Sequence, residues 1–134
     1  MSAAPGSLGL ERIGQIAVTV HDLERAIRFY RDTLGMRFLF QAPPQMAFFD
    51  CGGVRLMLGV PSEPAFDHPA SIIYYRVADI HAAHDALVAR GVTFTEAPHL
   101  VAQLPDHDLW LAFFRDPEHN LLALMSEVRP AVGR

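Results

Sequence analysis

Residues 98–110 read "PHLVAQLPDHDLW" and place His99, Asp106, His107 and Asp108 close together, between prolines and just before the only tryptophan. Histidine beside an orienting carboxylate is a general acid/base unit, because the imidazole titrates near neutrality and the carboxylate fixes its tautomer. His99, His107 and Asp106 are therefore the candidate catalytic residues. The same three could hold a metal as a facial set, and a solvated polar loop is the third reading. Pro98 and Pro105 restrict the segment. It is expected to be a loop that brings both histidines to one rim.

What positions such a rim is legible as a repeat. "VTVHDLERAIRFYRDTLGM" matches "YRVADIHAAHDALVARGV", with Val20 on Val77, Asp22 on Asp79, Leu23 on Ile80 and Ala26 on Ala83. Further on, "AFFDCGGVRLML" matches "AFFRDPEHNLLAL" with one extra residue in the second copy. Each half opens on period-two alternation, Ile16, Val18 and Val20 in the first and Ile73, Tyr75 and Val77 in the second, which means a strand. Asp22 and Asp79 then read as helix N-caps, and Gly35 and Gly91 as C-terminal stops. Three apolar segments broken by turns follow each helix. "CGG" and "DPEHN" are hairpin turns, with His119 in the second tolerating a left-handed backbone. The pattern is βαβββ twice: residues 1–10 a flexible N-terminus, 11–60 the first module, 61–70 a linker, 71–128 the second module and 129–134 a tail, one α+β domain overall.

The helices need an apolar sheet face, so Ile16, Val18, Val20, Leu56, Leu58, Ile73, Tyr75, Val77, Leu122 and Leu124 should lie beneath them. The opposite, concave face then holds Gln15, Thr19, Arg55, Met57, Ile72, Tyr74, Arg76 and Ala123, with Phe113 as an aromatic wall. Such a mixture of apolar side chains and a few polar groups is the composition of a small-molecule pocket. Arg76 has no evident partner and is the better anion-binding residue. Arg55 has Asp50 across the "CGGV" hairpin and is expected to pair with it. The remaining histidines, His21, His68, His81 and His84, are read as surface or linker residues, with His81 in reach of Asp85.

Bulk composition bounds the rest. The 134 residues are about half apolar and carry a net charge of −4, with no basic run. One compact domain follows, and nucleic acid is an unpromising partner. A single cysteine, Cys51, excludes an intrachain disulfide, and no apolar run approaches the roughly 20 residues of a membrane span. The expectation is a cytoplasmic chain with no membrane partner.

Two βαβββ modules, opened by "IAVTVHDLERAIRFYRDTLGM" and closed by "AFFRDPEHNLLALM", resemble the vicinal oxygen chelate superfamily of glyoxalase I, bleomycin-resistance proteins and extradiol dioxygenases. The resemblance covers residues 11–128 and implies two modules forming a cup-shaped mixed sheet with helices outside. It also implies a homodimer, and a metal held by one residue from the first and last strand of each module. Those positions fall on Gln15, Met57, Ile72 and Ala123. Glutamine is a weak carbonyl ligand and methionine a soft one, while isoleucine and alanine donate nothing. The expectation is a protein without the usual metal centre or any other cofactor, binding a small, partly apolar, anionic molecule in the cup. The alternatives are a lyase, isomerase or dioxygenase acting through His99 and His107, and a non-catalytic structural dimer.

Overall fold

The structure, a computed structural model, describes residues 8–129. The expected tails, 1–10 and 129–134, fall almost wholly outside the described residues. Chain order is β1 (Gln15–Thr19), α1 (Leu23–Arg28), β2 (Arg37–Ala42), β3 (Met46–Cys51), β4 (Val54–Gly59), then β5 (Ile73–Arg76), α2 (Ile80–Ala89), β6 (Phe94–Gln103), β7 (Asp108–Arg115) and β8 (Leu121–Val128). Each module makes one four-stranded sheet, ordered β1-β4-β3-β2 and β5-β8-β7-β6. In both, the first strand runs parallel to the last and the other pairs are antiparallel. The repeat in sequence is a repeat in topology.

The local signals act as read. The Asp22 carboxylate accepts the amide of Arg25 at 3.1 Å and that of Asp79 accepts Ala82 at 3.0 Å, each satisfying an amide the helix leaves open. Gly35 and Gly91 end the helices at φ of +72° and +94°, and His119 takes +68° in the β7–β8 turn. One feature was not foreseen: α1 continues into a π-helical turn, Phe29–Thr33, which buries Tyr30. The face assignments hold. Val18, Val20, Leu56, Leu58, Leu122 and Leu124 join Leu23, Ala26, Ile27, Tyr30, Ile80 and Leu87 in one buried cluster spanning both modules.

Two carboxylates of the β7–β8 turn tie the modules together. Asp116, buried, accepts the Tyr30 hydroxyl at 2.7 Å, the amides of Glu118 and Asn120 at 2.9 Å, and the Asn120 carboxamide N–H at 3.0 Å. Glu118, its side chain 5% exposed, accepts the amides of His21 and Asp22, both at 2.9 Å, and the Arg25 guanidinium at 3.2 Å. The second module thus caps the helix of the first. Burial alone would raise the Glu118 pKa, but the His21 and Asp22 amides, with Arg25 and His21, hold it below the ordinary 4.5.

On the acid side, a pH dependence with a fixed sign follows. A carboxylate whose folded pKa is depressed contributes stability that is full above its unfolded value and is lost as pH falls through the folded one. The stability gap between wild type and Glu118→Gln, from urea melts, is expected to be largest near about pH 6, where Glu118 is ionised and its neighbour His21 protonated, to narrow at higher pH as His21 loses its proton, and to close as pH falls below the ordinary glutamate range. A gap that keeps widening as pH falls below about 4 would contradict the assignment.

Candidate functional site

Strand register sets the inward face. In the first sheet, Gln15 lies opposite Arg55 and Ala17 opposite Met57, which in turn faces Phe48. In the second, Tyr74 faces Ala123, which faces Phe113, and Arg76 faces Met125, which faces Leu111 and then His99. The expected binding residues therefore do share the faces assigned to them. They divide, however, between two hollows, a packed region and the exposed positions Gln15 and Ile72.

The first hollow, about 270 Å³, lies on the inward side of the first sheet against Ala17, Thr19, Met46, Met57 and Gly59. Phe66 and His68 of the linker form its other wall. The linker is fastened there, because the Thr19 hydroxyl donates to the Phe66 carbonyl at 3.0 Å and His21 Nε2 lies 3.0 Å from Asp67. Hydrogen bonding to Asp67 raises the His21 pKa above 6.5, against a smaller lowering by burial, with Glu118 adding to the rise. The linker, read from sequence as a mere connector, walls this hollow.

The second hollow, about 240 Å³, lies at the seam between modules and draws Arg55 from β4 together with Tyr74 and Arg76 from β5. Its other walls include Ile13, Ile16, Val54, Leu56 and Ile73, with Cys51 at one side. Burial raises the Cys51 pKa, with the Asp50 carboxylate adding to it, which disfavours the thiolate. Arg55 is the cross-strand partner of Asp50, as expected, yet its guanidinium lies over the Phe48 ring, 5.6 Å from the centroid, and no ion pair with Asp50 forms. Arg76 does have a partner, contrary to the reading from sequence: its guanidinium is 3.4 Å from the Glu127 carboxylate, two residues along β8. The pair is solvent-exposed at Arg76, 68% by side chain, so water screens it and it leaves Arg76 available at small cost.

The remaining candidates are packed or separated. Ala123 is fully buried, and Tyr74 meets Phe113 edge-on at 6.0 Å between ring centres. The segment 98–103 is strand, not loop. His99 sits within β6 opposite Leu111, whereas His107 lies in the turn before β7. Since Leu111 is four positions on from His107 in the chain, the two histidines are roughly 13 Å apart along the hairpin. His99 Nδ1 donates to the Ala97 carbonyl at 2.8 Å. His107 Nδ1 lies 2.9 Å from Asp106, and its Nε2 is 4.0 Å from Glu127. The Asp106–His107 contact forms, but His99 does not join it, so a facial set of the three is not assembled. His81 meets the edge of Trp110 and it is His84 that contacts Asp85, at 3.1 Å.

At the positions where the resemblance implies metal ligands, the Gln15 carboxamide N–H points at the Met57 sulfur, 3.8 Å away. Ile72 and Ala123 contribute only hydrocarbon. A carboxamide and a thioether are not a donor set that fits a hard or borderline divalent ion. Among the described residues, no three His, Cys, Asp or Glu side chains gather in a group that could hold a metal, and no helix is long and apolar enough to cross a membrane.

Paired βαβββ modules with the first strand parallel to the last define the class of fold. The Glyoxalase/Bleomycin resistance protein/Dioxygenase superfamily model matches residues 12–124, and the chain belongs to that superfamily. It is 27% identical to the uncharacterized protein YraH of Bacillus subtilis over 126 residues, covering 82% of this chain and 94% of that one. A superfamily member from Sphaerobacter thermophilus superposes with a TM-score of 0.74 at 25% identity, over 88% of this chain and 98% of the other. A lactoylglutathione lyase from Agrobacterium tumefaciens superposes with a TM-score of 0.70 at 22% identity, over 87% and 93% respectively, a likeness of fold alone.

Proposed function

We propose that the protein binds a small, partly apolar organic anion at the seam between its two sheets, and that the anion is held by guanidinium groups rather than by the metal centre usual in the superfamily. One observation carries this reading: Arg55 and Arg76, one from each module, line a single cleft whose other walls are mostly apolar. Guanidinium forks match a carboxylate or phosphate geometrically, and apolar walls suit the body of the molecule. The hollow beside Met57, walled by the linker, offers additional apolar space on the same sheet. The chemistry of Gln15, Met57, Ile72 and Ala123 supports metal independence. Exposed Ile72 and Tyr74, each more than 40% accessible, support assembly as a homodimer that covers them.

The test is a thermal-shift titration of chelator-treated protein with aromatic carboxylates such as benzoate and phenylacetate. At 100 times its dissociation constant a ligand of the native state adds about 2.7 kcal/mol of stability. Stabilisation by at least one carboxylate, and by none of the matching amides, is the expected result. The reading fails if no carboxylate stabilises the protein.

A further inference from the structure

A third hollow lies on the opposite, helix-bearing side of the second sheet. It measures about 220 Å³ and is lined by Leu34, Met36, Val77, Leu87, Phe114 and Leu124, with Ala83 and Ala86 of α2 at its margin. Two polar groups border it. Arg90 is already engaged, donating to the Thr33 carbonyl at 2.7 Å. Tyr75 is not: its hydroxyl is buried and has no hydrogen-bond partner among the described residues. Folded proteins satisfy nearly all buried polar groups, so an unmet hydroxyl on a residue that lines an apolar hollow calls for an acceptor that the described residues do not supply.

We propose that this hollow is a second small-molecule site, distinct from the arginine cleft, for a neutral molecule about the size of one ring that carries a single hydrogen-bond acceptor. The size follows from the volume, since an apolar cavity of about 150 Å³ is enough to take up benzene. Neutrality follows from the walls. An anion here would be stripped of water with only Arg90 at the mouth, and that guanidinium is held by a backbone carbonyl. The acceptor follows from Tyr75, whose phenol stays protonated because burial raises its pKa far above the working range, with Cys51 and Asp116 adding to the rise. Tyr75 also borders the arginine cleft, so one residue lines both hollows.

The test uses acetophenone, benzoate and ethylbenzene as probes of the intact protein, followed by methyl resonances in NMR titrations. Acetophenone is expected to shift the methyl groups of Leu87 and Leu124 with saturation. Tyr75→Phe is expected to weaken it about tenfold while leaving ethylbenzene unchanged, and Ala86→Trp, at an exposed margin, to abolish both. If Ala86→Trp does not fold, Ala83→Leu serves as the blocking variant. Preference for benzoate at these methyl groups, acetophenone shifts confined to Ile13 and Val54 of the arginine cleft, no saturable shift, or indifference to Tyr75→Phe would each overturn the proposal.

Discussion

Asp116→Ala is expected to destabilise the protein by about 3–4 kcal/mol, the largest loss from any single side chain described. The carboxylate accepts four hydrogen bonds while almost wholly buried, and its removal leaves the Tyr30 hydroxyl, itself 1% exposed, without an acceptor. Truncation therefore costs the desolvation of the orphaned donors as well as the bonds themselves. Tyr30→Phe removes one donor and leaves the Asn120 contacts, so about 1–2 kcal/mol is expected. Because the two residues share a bond, their effects should not add: the double variant should lose less than the sum. Urea unfolding of the three variants measures all of this. A loss below about 1 kcal/mol for Asp116→Ala would mean that the turn does not bridge the modules as described.

The second large effect concerns binding. Arg55→Ala and Arg76→Ala should each weaken a carboxylate ligand by roughly tenfold, about 1.4 kcal/mol, the value of a charge-assisted contact at a site open to solvent. Glu127→Gln should act in the opposite direction, because it removes the carboxylate that competes for the Arg76 guanidinium at 3.4 Å. That reversal of sign separates an electrostatic site from a merely apolar one. Raising ionic strength should weaken binding in the wild type and much less in the double arginine variant. Calorimetric titration of the wild type and the four variants decides the matter. Equal affinities across the series would place the ligand elsewhere.

How much of this was legible from sequence depends on the distance over which each signal acts. Helix caps at Asp22 and Asp79, stops at Gly35 and Gly91, and the left-handed His119 are fixed by their immediate neighbours, and all are where the sequence places them. The two-module topology follows because the repeat carries those local signals twice. The second half of the strand β6 was read as a loop for a physical reason. Its pairing with β7 shifts register between Phe94 and Glu96, between Glu96 and His99, and between Leu100 and Ala102. Each bulge breaks the period-two alternation by which a strand is recognised. Pro98 is tolerated there because β6 is an edge strand.

The site was legible by face but not by partner. Arg55, Tyr74 and Arg76 are inward, as alternation requires. Which groups meet them depends on side-chain conformation and strand order: Arg55 turns to Phe48 instead of Asp50, and Arg76 meets Glu127 across a parallel pair. Glu118 gave no signal at all, since its partners His21, Asp22 and Arg25 lie in the other module. The linker escaped for the same reason: nothing near Phe66 in the chain shows that Thr19 will bind its carbonyl.

The central claim is that arginines, not a metal, hold the ligand. Its most direct test is the affinity of the best-binding carboxylate measured by calorimetry before and after exhaustive chelation, with divalent ions then restored. The account predicts the same affinity in all three conditions. Binding that disappears on chelation and returns with one equivalent of zinc, nickel, manganese or iron would contradict it.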